Sequence, residues 1–175
     1  LPDNTLSTRK ISLFTMVATK DQSRLVQVTG IEQDYPFYGK MILKNVGSVD
    51  PAKLKQSLDL SGEAWVYPEL LYMLELNAGE YIKIGEQSFR IADSVIVDPS
   101  SSFSSFGLAP RIYLGYSHME ETALLTKKSR VSHQRLYRVP EGTDLSGLVD
   151  KLQKQINKLD GSDSKIRILT HKRAG

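Results

Sequence analysis

The chain has 175 residues, 40% of them hydrophobic and 25% charged, the balance of an ordinary globular chain long enough to bury a core. It contains no cysteine, which excludes disulfides, thiolate metal sites and cysteine nucleophiles and leaves the redox compartment open. No apolar run approaches the roughly 18 residues that cross a bilayer, and 23 Lys and Arg against 20 Asp and Glu give a formal charge of only +3. The cations are spread along the chain apart from small clusters at Lys127-Lys128-Arg130 and Lys172-Arg173, so a solvated surface is the better reading than an anionic partner. The chain opens on Leu1 rather than Met, which points to a processed protein or an excised piece of a larger one.

Residues 1–8 are polar, contain a proline and read as a loose lead-in. Two runs of strand formers follow, 11–19 and 24–31, joined by a four-residue loop as a hairpin. Residues 32–39 break the alternation and carry three aromatics, Tyr35, Phe37 and Tyr38, before a short strand at 40–44. Pro51 after Asp50, with Leu54 and Leu58 four apart, predicts a short helix. The segment 63–66 holds the only Trp, and Pro68 opens a helix running to Leu76. Around Gly85-Glu86-Gln87, the alternation of Ile82 and Ile84 and then of Phe89 and Ile91 predicts a second hairpin, 81–97, against which that helix packs its apolar side. It forms the centre of a compact unit that interrupts what precedes and follows it.

Residues 100–107, S-S-S-F-S-S-F-G, have the composition of a flexible loop and carry Phe103 and Phe106. A strand restarts at 112–114 and a short helix is expected at 118–125. The last third reads as a strand (131–139), a helix and a strand (165–170), the unit from which split βαβ folds are built. Thr143 or Asp144 caps the helix, Leu145, Leu148, Val149, Leu152, Ile156 and Leu159 form one apolar stripe, and Gly161 suits the helix end. As a core position, Leu148 truncated to Ala would cost about 2–5 kcal/mol.

The chemistry-bearing residues do not assemble. His118, His133 and His171 are far apart and form no metal-ligand pattern, so they read as surface or packing residues. Ser129 and His133 would stand about 13 Å apart along a strand, too far for a nucleophile and its base. Gly39-Lys40 ends like a phosphate loop, but Met41 replaces the magnesium-binding hydroxyl and Asp34 the first glycine. The pairs Glu32 with Asp34 and Glu120 with Glu121 read as solvated acids. No catalytic residue, metal site or cofactor is expected. Two contact surfaces are: the loop with Tyr35, Phe37 and Tyr38, and the loop with Phe103 and Phe106, unless these rings fold back onto their own domain.

Three segments in order, R-L-V-Q-V-T-G-I-E-Q-D-Y-P-F-Y-G-K (24–40), A-W-V-Y-P-E-L-L-Y-M-L-E-L-N-A-G-E-Y-I-K-I-G (64–85) and F-G-L-A-P-R-I-Y-L (106–114), resemble the extracytoplasmic core domain of MacB-type, FtsX-like ABC transporter permeases, in particular the YbbP-like branch. The likeness spans about 9–170. It implies an α+β fold in which a porter-like split βαβ layer, here 1–48 and 126–175, is interrupted by a mostly β, Sabre-like insert with a short helix, here 49–125. Glu80 stands where the family has Asp. The strand and helix that the family places before 11–19 are not in this sequence, so the layer is incomplete here, completed by an upstream segment, or filled by another copy.

The resemblance further implies a non-catalytic domain on the periplasmic side of the inner membrane, part of an integral membrane protein and soluble when excised. A cytoplasmic ATPase would drive the membrane helices, and the domain would transmit that motion to a lipid or other hydrophobic substrate or to a periplasmic partner protein. Phe103 and Phe106 would touch substrate, lipid headgroups or partner, and no nucleic acid is expected. The alternative is a stand-alone binding module for a protein or an anionic ligand such as nucleic acid, with a basic face and salt-dependent binding. An enzyme is a distant third.

Overall fold

A computed structural model describes residues 1–100, 109–159 and 166–170. By contacts the chain separates into two compact units, one of Leu1–Leu6 with Tyr137–Gly175 and one of Ser7–Leu136. These units are a different division from the insert boundaries implied above.

The larger unit is organised by local hairpins that the alternation of the sequence specifies. Strands β1 (Leu6–Ala18) and β2 (Ser23–Ile31) pair antiparallel from Lys10 opposite Ile31 to Ala18 opposite Ser23. The first strand starts at Leu6, inside the stretch expected to be a loose lead-in. Next come β3 (Ile42–Leu43), β4 (Gly47–Ser48), β5 (Glu63–Val66) and the hairpin β6 (Tyr81–Ile84) with β7 (Gln87–Val97). Strands β8 (Arg111–Gly115) and β9 (Ser132–Arg138) complete the set. Among the described residues they form one mixed sheet in the order β4-β3-β7-β5-β8-β2-β1-β9, with β6 paired to β7. Two of its pairings, β2 with β8 and β5 with β7, are parallel. Gly85 turns β6 into β7 at φ +60°, and a side chain there would run into the Thr122 carbonyl oxygen, which accepts from Glu86 N at 3.0 Å.

Because this sheet is covered on both sides, it carries two apolar layers. One contains Ile11, Val28, Val66, Leu70, Leu74 and Ile91. Leu70 and Leu74 come from α2 (Pro68–Leu74), which opens on its proline and stops at Glu75 with φ +54°, so the expected packing of this helix over the β6–β7 hairpin is found. The other layer contains Trp65, Tyr113, Met41, Leu54 and Leu58. Leu54 closes α1 (Pro51–Leu54), capped by Asp50 accepting from Lys53 N at 2.8 Å, and a π-helical turn over Lys55–Leu60 carries Leu58. Trp65 is 1% exposed, and its indole N–H donates to Ser57 Oγ at 3.0 Å, so the ring is buried without an orphaned donor.

Two expected elements differ. In place of a helix at 118–125 there is a 3₁₀ turn, Tyr116–His118, followed by turns. Thr122 Oγ1 donates to the Met119 carbonyl at 2.7 Å and accepts from Leu124 N at 3.3 Å, and Ala123 has φ +56°, so local side-chain bonds replace helical ones. Residues 166–170 are not a strand, and Lys165 lies outside the described residues. A period-two pattern becomes a strand only where a neighbour supplies the ladder, and no described strand is paired with it.

In the smaller unit, α3 (Leu145–Leu159) is capped by Asp144, whose Oδ1 accepts from Gly147 N at 3.1 Å, while Thr143 Oγ1 donates to the Pro140 carbonyl at 2.7 Å. Of the two expected caps, Asp144 is therefore the one in place. Leu148, Val149, Leu152 and Ile156 are half-buried and Leu145 is 41% exposed. Gly161 lies outside the described residues. With three α-helices and a mixed sheet among the described residues, the α+β class is borne out.

Half-burial lowers the cost expected for the stripe. Leu148→Ala is expected to destabilise by about 1–2 kcal/mol in urea unfolding, and Trp65→Ala by about 3–5 kcal/mol. Equal costs would contradict the burial contrast.

Candidate functional site

Strand β7 leaves the sheet into Asp98-Pro99-Ser100, and the chain re-enters it at Arg111. These are the two feet of the segment that carries Phe103 and Phe106, both of which lie outside the described residues. The feet are tied together inside the protein. Arg111 Nη1 reaches Asp98 Oδ2 at 2.6 Å, with the side chains 9% and 3% exposed. A charged pair this deep costs several kcal/mol in lost hydration unless its remaining donors and acceptors are met. Here they are. Asp98 accepts from Tyr67 Oη at 2.6 Å, from Tyr113 Oη, and from both Ser100 N and Ser100 Oγ at 2.8 Å. Arg111 also donates through Nε to Gln27 Oε1 at 2.8 Å, Gln27 being its cross-strand partner on β2.

The same cluster receives the loop at 35–38. Tyr35 is 5% exposed and lies buried in the same apolar layer as Tyr113. Gly39 packs on Pro99, where an added Cβ would come within 2.5 Å of the ring's Cβ. Lys10 on β1 holds its ammonium 5.4 Å from the centre of the Tyr35 ring. The two aromatic loops that the sequence marks as contact surfaces therefore meet at their bases: the structure brings the 35–38 loop against the feet of the 101–108 segment. Within the first loop the three rings divide. Tyr35 is buried in the cluster, Phe37 is half-buried and Tyr38 is 52% exposed.

Electrostatics follow from burial and pairing. Burial opposes ionisation of Asp98, yet the hydrogen bonds from Tyr113 and Tyr67 and the Arg111 charge hold its carboxyl below the usual range. Burial pushes the Tyr35 hydroxyl up to about 12, and burial together with the Arg111 charge pulls Lys10 down to about 8. Burial also raises Tyr67 and Tyr113. These shifts favour protonated tyrosines and a charged Asp98–Arg111 pair, so the pair serves as a clamp between the two feet.

The other candidate residues stay apart. His118 bonds to the Asp59 carbonyl at 2.8 Å and to Glu121 Oε2 at 3.1 Å, and His133 is exposed on β9. Ser129 Oγ donates to the Leu124 carbonyl at 2.6 Å, and Glu32 pairs with Arg9 at 2.6 Å. His171 lies outside the described residues. No group of three or more potential metal ligands occurs among the described residues. Asp98, Arg111, Tyr67, Tyr113 and Lys10 escaped the sequence reading as a site. The one available signal was the A-P-R strand following a D-P-S turn, whose acid and base stand 13 residues apart.

No protein-family model matches the chain. Over 124 residues, 71% of this chain, it is 29% identical to the uncharacterized ABC transporter permease YbbP of Escherichia coli strain K12, and it spans only 14% of that protein. The periplasmic region of MacB from Actinobacillus actinomycetemcomitans superposes with a TM-score of 0.55 at 16% identity, covering 87% of this chain and 66% of that one. The extracellular domain of the noncanonic ABC-type transporter YknZ from Gram-positive bacteria superposes with a TM-score of 0.59 at 10% identity, covering 94% and 80%. At these identities the two superpositions speak to the fold.

Asp98→Asn is expected to cost about 3–5 kcal/mol in urea unfolding at neutral pH, because it leaves Arg111 buried and unpaired. The folded pKa of Asp98 is depressed, so the advantage of the unsubstituted chain is complete above the unfolded value of about 3.9 and shrinks as pH falls through the lower folded value. A difference that stays constant down to acid pH would show that the carboxylate is not the clamped species.

Proposed function

We propose that this chain, which has the MacB-like periplasmic fold, is the extracytoplasmic domain of an ABC transporter permease and does no chemistry itself. The observation that carries this reading is the agreement of two independent likenesses: one in sequence to a permease over 71% of the chain, and one in fold to the extracytoplasmic parts of two transporters. Those relatives are transporter domains rather than enzymes. Among the described residues no helix is long and apolar enough to cross a membrane, which suits a domain held outside the bilayer by helices elsewhere in a longer protein.

In this reading a cytoplasmic ATPase drives the membrane helices, and the domain couples that motion to handling or release of a lipid or other hydrophobic substrate, or to a periplasmic partner protein. Its working surface is the pair of aromatic loops, with Phe37, Tyr38, Phe103 and Phe106 as contacts and Tyr35 as the internal anchor. The Asp98–Arg111 clamp supports the assignment, since a loop transmitting force needs rigid feet. We also propose, from the family resemblance, that the β-rich part, 49–125, is an insert within a porter-like layer formed by 1–48 and 126–175. A nucleic-acid module is the weaker reading, because Arg9, Arg90 and Arg111 are each neutralised by a carboxylate.

The test is made in the full-length permease with its ATPase. Phe103→Ser together with Phe106→Ser is expected to lower transport about tenfold or more, equivalent to roughly 1.4 kcal/mol of coupling, while expression and ATPase association stay intact. Unchanged transport would remove the loop from the mechanism. A reading frame without membrane helices around this chain would remove the permease.

A further inference from the structure

On another part of the larger unit, a trough of about 790 Å³ runs between the β1–β2 turn, α2 and the turn after β3. Its size is that of a ligand site, but its lining is mixed. The α2 side supplies Leu71, Tyr72 and Met73. Tyr72 is 87% exposed and Met73 39%, on a helix whose other side is fully committed through Leu70 and Leu74. The facing wall supplies two cations. Arg24 donates to the Ser23 carbonyl at 2.8 Å and to Gln22 Oε1 at 3.0 Å, which are neutral acceptors, and Lys44 is exposed. Neither is in an ion pair among the described residues, in contrast to Arg9, Arg90 and Arg111. Glu75 is the acid of the lining, and its Oε1 accepts from Gln22 Nε2 at 3.3 Å. The trough therefore carries a positive balance.

An acyl chain is a poor occupant, because it needs enclosing apolar walls, whereas this trough is open and its walls include the amides of Gln22, Asn45 and Asn77. An exposed Tyr beside a Met, faced by an arginine, is the residue mixture of a protein-binding surface. We propose that the trough docks an acidic, extended peptide segment of a partner protein, with its carboxylates on Arg24 and Lys44 and an apolar side chain on Leu71, Tyr72 and Met73. This site is distinct from the aromatic loops and stands whether or not the chain serves a permease.

The probe is a fluorescein-labelled hexapeptide, Asp-Leu-Glu-Phe-Glu-Leu, titrated with the whole chain by fluorescence anisotropy. Binding is expected to weaken as salt rises from about 50 to about 500 mM, as the exposed charges are screened. Lys44→Glu is expected to weaken it about tenfold and Tyr72→Ala severalfold, while Glu75→Lys tightens it severalfold. All three positions are exposed, so folding is retained, and circular dichroism checks this. The proposal is overturned if the peptide does not bind, if the variants bind it equally, or if a peptide with Lys at the acidic positions binds as well. It is also overturned if phosphatidylglycerol vesicles, rather than the peptide, bind in a way that depends on Lys44 and Tyr72.

Discussion

Arg111 and Asp98 meet at 2.6 Å beside the second apolar layer, and that end of the sheet is arranged around satisfying them. A buried pair of opposite charges does little for stability on average, since dehydration cancels much of the attraction, but it is intolerant of misplacement. Tyr67, Tyr113, Ser100 and Gln27 must all be in place at once, which requires the exit of β7, the entry of β8, the start of α2 and the middle of β2 to be in register together. Tyr35, buried beside Tyr113 in the second apolar layer, brings the 35–38 loop to the same place. The polar cluster thus specifies which loops meet, while the apolar layers on either face of the sheet supply the bulk of the folding energy.

A division of labour follows between scaffold and surface. The 35–38 loop and the described residues flanking 101–108 are gathered around a single ion pair. The trough beside α2 draws on none of these residues, so a partner docked there would leave the clamp undisturbed. The chain spans 14% of the permease it resembles in sequence.

What could be read from the residues alone was the local part. The hairpins around 20–23 and 85–87, the Asp50 and Pro68 helix starts and the capping Asp144 are all set by neighbours a few positions away, and each is where its pattern puts it. The parallel pairings of β2 with β8 and of β5 with β7 join segments far apart in sequence and leave no periodic trace. The clamp was hidden for the same reason: an Asp and an Arg 13 residues apart look solvated until a sheet closes over them. The stripe of α3 was legible as a stripe, but the depth of its burial is decided by what packs on it, which periodicity does not report. The 118–125 region misled because Thr122 finds local backbone partners that an amphipathic pattern does not weigh.

The most direct test of the clamp is a double-mutant cycle between Asp98 and Arg111, using Asp98→Asn, Arg111→Gln and the pair together in urea unfolding. If the two charges are buried for each other, the double variant loses less than the sum of the single ones, by an interaction energy in the range of about 0.5–3 kcal/mol for residues in contact. Strictly additive losses would mean that the two side chains are held independently, and the account of a single clamp joining both loops would be wrong.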